Sequence, residues 1–288
     1  MDFSTLSTGK LVRMVRMAFE HGPGNGKLLI LPIDQGVEHG PIDFMTNPES
    51  KDPRYQFQLA LEGNYSAIAV HIGLAQRYLS EFAGLVPLVL KVNGKTNIPS
   101  DDDAFSPLTS SVEVAVRIGA DAVGYTLYVG SPRQDDDIAQ LSYVRAECDK
   151  FGMPLIIWSY PRGNAVEAKG GKDSLYAIDY ASRLALELGA DVIKLNYPAT
   201  ESTGQPDKYQ NLEEDEISMM KRIIESAGKA GVIVSGGSKI SDEKLLHKVK
   251  NSLSAGVMGF IFGRNMWQRP MDEALELSEK IHSTISGE

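Results

Sequence analysis

The run VIKLNYP at 192–198 decides the fold. Three aliphatic residues surround a lysine, and the run ends on Asn196, Tyr197 and Pro198. It is too short for a helix and apolar without alternation, the pattern of a parallel strand covered on both faces. Immediately upstream lies PLIIWSY (154–160), and downstream VIVSGG (232–237), runs of the same kind. Farther out the pattern recurs at LLILPID (28–34), AIAVHIG (67–73), LVLKVNG (88–94), AVGYTLYVG (122–130) and GFIFGRN (259–265). Between the runs lie segments with apolar residues at three- and four-residue intervals, clearest at 174–189, 213–231 and 270–285. GADAV (119–123) and GADVI (189–193) mark helix-to-strand junctions, where glycine can adopt the left-handed conformation that ends a helix.

Strand and helix thus alternate eight times, which closes a (β/α)8 barrel. A doubly wound open sheet uses the same alternation. Eight runs, with polar residues gathered at the C-terminal ends of many of them, favour the barrel, whose site sits at that end. The expected architecture is α/β, one TIM-barrel domain over residues 1–288, with residues 1–20 as a helical extension plugging the inactive end. A chain of 288 residues fits one such barrel, typically of roughly 250 residues, with a short addition.

Composition narrows the function. The net charge is -9, which argues against a nucleic-acid partner because phosphate backbones need a basic face. No run approaches the roughly 18 apolar residues of a membrane span, and the N-terminus reads as neither signal nor anchor. Cys148 is the one cysteine, so no intrachain disulfide forms, and a free thiol suits a reducing, cytoplasmic setting.

Chemistry concentrates at the strand ends. A charged Lys194 among apolar neighbours is costly, so the amine is either paired or loses its proton; a free amine at neutral pH attacks carbonyls. The plain alternative is a lysine salt-bridged inside the barrel. Lys91 is a second strand lysine and the rival nucleophile; if both point inward, one can stay charged and depress the other. Tyr160 ends the neighbouring strand and can carry a proton, or else is a buried phenol bonded to backbone. Trp158 lies on the same side of that strand and either walls a ligand pocket or fills the barrel.

Asp34 can hold hydroxyls or move protons. A metal-site reading would recruit Asp34, Glu38, His39 and His71, but their spacing resembles no familiar zinc pattern, and no metal or cofactor is expected. Ser235, Gly236, Gly237, Gly263 and Arg264, after strands seven and eight, form the loop pair that commonly binds phosphate in this fold. GPGNGK (22–27) lacks the strand-then-helix setting of a nucleotide loop. TNIPSDDDAFSP (96–107) reads as a long surface loop on the active face and PATESTGQPDKYQN (198–211) as a candidate lid.

PIDQGVEHGP, LKVNGKT, GYTLYVGSP, WSYPRGN, DVIKLNYP, VSGGSK and GFIFGRNMWQ, in that order, resemble the strand-end motifs of the archaeal-type class I fructose-bisphosphate aldolases. The resemblance implies a Schiff base on Lys194, proton transfer by Tyr160, and active-site positions at Asp34 and Trp158. It further implies metal-independent cleavage of fructose 1,6-bisphosphate and a homo-oligomer, with a decamer among the candidates. The loop at 96–107 and GNAVEAKGGKD (163–173) match no pattern of that family. A Schiff-base transferase passing the same enamine to another acceptor, a phosphosugar isomerase without a covalent lysine, and a non-catalytic sugar-phosphate binder are the alternatives.

Overall fold

The computed structural model describes residues 1–200 and 203–287. Eight parallel strands form a closed barrel in sequence order, β1 (Leu28–Pro32), β2 (Ala67–His71), β3 (Leu88–Lys91), β4 (Ala122–Val129), β5 (Leu155–Pro161), β6 (Val192–Leu195), β7 (Gly231–Ser235) and β8 (Gly259–Ile261). β8 closes onto β1 with Leu28 opposite Gly259. A Cβ at Gly259 would fall 2.0 Å from the Leu28 carbonyl oxygen, so closure there requires glycine. The doubly wound alternative is excluded by this closure.

Six of the eight expected runs extend two to four residues past the observed strand. Those extra residues leave the ladder and build the mouth. Helices at Pro53–Glu62, Ile72–Tyr78, Val112–Arg117, Gln134–Phe151, Leu175–Glu187, Glu216–Ser226, Asp242–Ala255 and Met271–Ser286 follow the strands in turn. The expected glycine junctions hold: Gly119 and Gly189 have φ of +76° and +92°. Among the described residues no helix is long and apolar enough to cross a membrane.

Side chains separate by the two-residue alternation of a strand. Outward residues such as Leu29, Leu31, Val70, Val123 and Ile193 pack under the helices in the larger core cluster. Inward residues Leu28, Ile30, Ala67, Ala69, Val89, Ala122, Ile156, Val192, Ile233 and Ile261 form a second cluster inside the barrel, with Trp158 at its upper end. The barrel is therefore filled below and open above, where the next inward positions carry polar groups.

Below, the N-terminal segment closes the barrel as expected. It runs through Thr8–Val15 into a π-helical turn at Arg16–Glu20, and its Met14, Met17 and Ala18 join the inner cluster. Lys10 anchors it, 2.8 Å from Asp149 and 2.9 Å from Asp191. Asp191 also accepts the Leu155 amide at the base of β5. Replacing Lys10 by methionine strands a nearly covered carboxylate, which should lower unfolding stability in urea by about 2–4 kcal/mol. An unchanged midpoint would mean the plug is held by its apolar contacts alone.

Candidate active site

Counting upward in twos from the inner cluster gives the site. Ile30 leads through Pro32 to Asp34, Ala69 to His71, Val89 to Lys91, Ile156 through Trp158 to Tyr160, Val192 to Lys194, Ile233 to Ser235, and Ile261 to Gly263. All of these face the barrel axis.

Lys194 stands opposite Trp158 across the β5–β6 ladder and is 4% exposed. Its Nζ lies 5.1 Å from the Trp158 ring and 5.2 Å from the Tyr160 ring. Burial lowers its pKa to about 8, against the opposing pull of Asp34 and Glu38 and with the help of Arg264 and Arg162. Lys91 is 1% exposed, its Nζ stands 4.2 Å from the Trp158 ring, and it donates to Thr126 Oγ1 at 2.6 Å. Burial lowers it further, to about 7, with Asp34 opposing and Lys194 assisting. Both lysines point inward, and the pKa of each is lowered chiefly through lack of water.

The pKa is lower at Lys91, but the two amines differ in access. Lys194 faces a polar cavity of about 380 Å³ at the barrel mouth, whereas Lys91 lines only a recess of about 10 Å³, roughly one water's worth of space. Neither the rival nucleophile Lys91 nor Trp158 is among the residues lining this cavity, and Trp158 packs with the inner apolar cluster. Gly124 permits this arrangement, since a Cβ there would come within 2.8 Å of Trp158 and 2.9 Å of Lys91.

Tyr160 lines the cavity, and burial, followed by the carboxylates Glu38 and Asp34, raises its pKa well above the ordinary tyrosine value, with Arg162 opposing. The phenol is a proton donor throughout the neutral range. Asp34, two residues beyond β1, borders both the mouth and the inner recess, the one carboxylate acting on both amines most strongly. His71 also faces the recess, its Nδ1 without a hydrogen-bond partner and its pKa lowered to about 4 by burial and Lys91. His39 instead pairs with Asp43 at 2.5 Å. Among the described residues no three His, Cys, Asp or Glu side chains gather in metal-binding geometry.

The far wall is built by Ser235, Gly236, Gly237, Gly263 and Arg264, which the fold brings together as expected. Asn265, fully buried, laces the two loops by donating to the Gly236 and Ser238 carbonyls at 3.3 Å and accepting the Ile240 amide at 2.9 Å. A Cβ on Gly236 would strike Asn265 Nδ2 at 2.6 Å. Gly237 has φ +67°, so the backbone turns where an anion can approach its amides. Among the described residues Arg264 has one carboxylate within ion-pair reach, Asp43 at 3.9 Å.

Other cavity residues escaped the sequence reading. Asn196 accepts from Ser235 Oγ at 2.8 Å and donates to Asp173 at 2.9 Å, joining β6 to its neighbours. Arg162 lies 5.2 Å over the Tyr160 ring, and Asn97, Asp101 and Lys172 complete the rim. Arg162 had a signal, standing two residues beyond Tyr160 at a strand end; Asp101 and Lys172 sit on loops whose sequence says little about where they fold. Of the candidate lid at 198–211, residues 201 and 202 lie outside the described residues.

A barrel with a desolvated amine, a protonated phenol and an anion seat around one cavity is the equipment of a carbonyl-attacking enzyme for phosphorylated ligands. The family model described as DeoC/LacD family aldolase matches residues 28–269. A class 1 fructose-bisphosphate aldolase of Thermoproteus tenax is 38% identical over 91% of this chain and 90% of its own length. A fructose-bisphosphate aldolase/6-deoxy-5-ketofructose 1-phosphate synthase of Methanocaldococcus jannaschii is 32% identical over 91% of this chain and 83% of its own. An archaeal fructose-1,6-bisphosphate aldolase, solved with its catalytic lysine bound to the carbinolamine intermediate of its substrate, superposes with TM-score 0.79 at 35% identity, over 93% of this chain and 99% of that one. The chain belongs to the DeoC/LacD family of aldolases, in its class I fructose-bisphosphate aldolase branch.

The Lys194 amine should react with a neutral acylating reagent along a curve with its inflection near pH 8, where an ordinary lysine inflects at about 10.4. Mass spectrometry of the labelled peptide across pH reads this out. An inflection at the ordinary value would remove the desolvated amine from the site.

Proposed function

We propose that the protein cleaves fructose 1,6-bisphosphate reversibly to dihydroxyacetone phosphate and glyceraldehyde 3-phosphate through a Schiff base on Lys194. The observation carrying this reading is the position of Lys194, covered on the barrel side yet open to the one cavity shared by Tyr160, Asp34 and the Ser235–Gly237 and Gly263–Arg264 loops. The named relatives support the choice of substrate.

The free amine of Lys194 adds to the C2 ketone and water leaves, giving a protonated imine. A base takes the C4 hydroxyl proton, the C3–C4 bond breaks, and its electrons move to the imine nitrogen, leaving an enamine. Glyceraldehyde 3-phosphate departs. Tyr160 protonates the enamine at C3, and water then hydrolyses the imine to release dihydroxyacetone phosphate. Asp34 is placed to hold hydroxyls or pass protons between mouth and recess. Backbone amides around Gly236 and Gly237, with Arg264, hold one phosphate. Trp158 and Lys91 act from behind: the indole keeps water from the Lys194 stem, and Lys91 holds Thr126.

The whole chain is read as one domain, working in the cytoplasm as a homo-oligomer on a phosphorylated sugar. A second reading, transfer of the same enamine to another acceptor, rests on the double description of the Methanocaldococcus jannaschii relative. It needs the same Lys194 and Tyr160, and a screen of acceptor aldehydes separates the two.

Borohydride with dihydroxyacetone phosphate should inactivate the protein and leave a reduced adduct on the Lys194 peptide, with turnover insensitive to chelators. Adduct on Lys91, or none, would overturn the assignment. Tyr160→Phe should still form the Lys194 imine but lose turnover by roughly 100- to 10,000-fold. Normal proton exchange on dihydroxyacetone phosphate in that variant would transfer the proton step to Asp34.

A further inference from the structure

The cavity has two cationic ends. One is Arg264 with the glycine loops. The other is Arg162 with Lys172, both lining the cavity, and Lys95 of the adjoining recess, and it is occupied by a group of the protein itself. Asp101 accepts from Lys95 at 2.9 Å and forms an ion pair with Arg162 Nε at 3.1 Å. Burial raises its pKa, but the Lys95 bond and the charges of Arg162, Lys95 and Lys172 outweigh this and hold it low.

The two cations are nearly covered, with side-chain exposures of 10% for Lys95 and 13% for Arg162, while Asp101 is at 46%. Among the described residues no other carboxylate lies within ion-pair reach of either. One half-exposed carboxylate thus faces three cations at the wall of a ligand cavity. That balance leaves positive charge that a doubly charged phosphoryl group neutralises better.

The carrier of Asp101 is tied down on both sides and loose between. Asn97 donates its amide to the Glu38 carbonyl, Ala104 O accepts from Ser131 and Ser106 O from Asn93 and Gln140. Between these anchors the residues are exposed, Ile98 at 93%, with Asp101 in a single 3-10 turn. Asp101 thus sits on an exposed stretch held at its two ends and packed against nothing that fills the barrel.

We propose that Asp101 is an internal stand-in for the far phosphate of the substrate, its carboxylate holding the seat between Arg162 and Lys95 that the phosphoryl group takes on binding. The proposal rests on the bisphosphate reading for the identity of that second anion. Removing the carboxylate's charge then frees the seat, which helps a ligand with a phosphate at both ends more than one with a phosphate at the near end alone.

The test uses Asp101→Asn, with Asp102→Asn as a control for net charge, since Asp102 pairs with Ser100 on the same turn. Inorganic phosphate is titrated calorimetrically in an Arg264→Ala background, so that the far seat is read. Asp101→Asn should tighten phosphate binding about 3- to 10-fold, an effect shrinking with added salt, and Asp102→Asn should not. The ratio of kcat/KM for fructose 1,6-bisphosphate over fructose 1-phosphate should rise by a similar factor. Unchanged or weaker phosphate binding, or an equal gain from Asp102→Asn, would overturn the proposal. If neither sugar is cleaved, the substrate reading fails while the phosphate titration still decides the role of Asp101.

Discussion

The structure depends on one constraint: in a closed sheet, every second side chain of all eight strands points at the same axis. Near the bottom that space is filled with Leu28, Ile30, Val89, Val192 and their neighbours. Two residues higher the same rule delivers Lys91, Lys194, Ser235 and Gly263 to a common centre. No loop has to find them. Apolar floor and reactive ceiling are consecutive turns of one periodicity, and burial by the floor strips water from the amines above it.

Trp158 divides the amines into two environments. Two lysines beside one indole become unequal because one opens to the mouth and the other to a space the size of a water molecule. The indole's room comes from Gly124 on the adjacent strand. The absence of a side chain at one position is as much part of the site as the lysine. Burial alone lowers Lys91 further than Lys194, so it is access to the cavity and not the pKa that sets Lys194 apart.

The barrel was legible because each strand is a continuous apolar run and the helices between them keep their own period. Strand ends were overestimated for a physical reason: residues such as Asn196, Tyr197 and Gly236 continue the run in sequence while their backbone leaves the ladder. Lys194, Tyr160 and Ser235 were legible as polar groups on otherwise buried strands. Lys91 and Trp158 were legible as inward residues, but their distance from the cavity was not, because it depends on height along the axis and on a neighbour's bulk. The Asp101–Arg162 pair was not legible at all. It joins a loop after β3 to a residue ending β5, a closeness set by the barrel's curvature and not by any local pattern.

The plug of Met14, Met17 and Ala18 under Lys10 gives the barrel a blind bottom. The way to Lys194 is then the mouth at the C-terminal ends of the strands. On the proposed mechanism the ketone half is held there by a covalent bond and the aldehyde half is not, so the tether itself sets an order: the free fragment departs first, and in the reverse direction the ketone phosphate is fastened before the aldehyde is used.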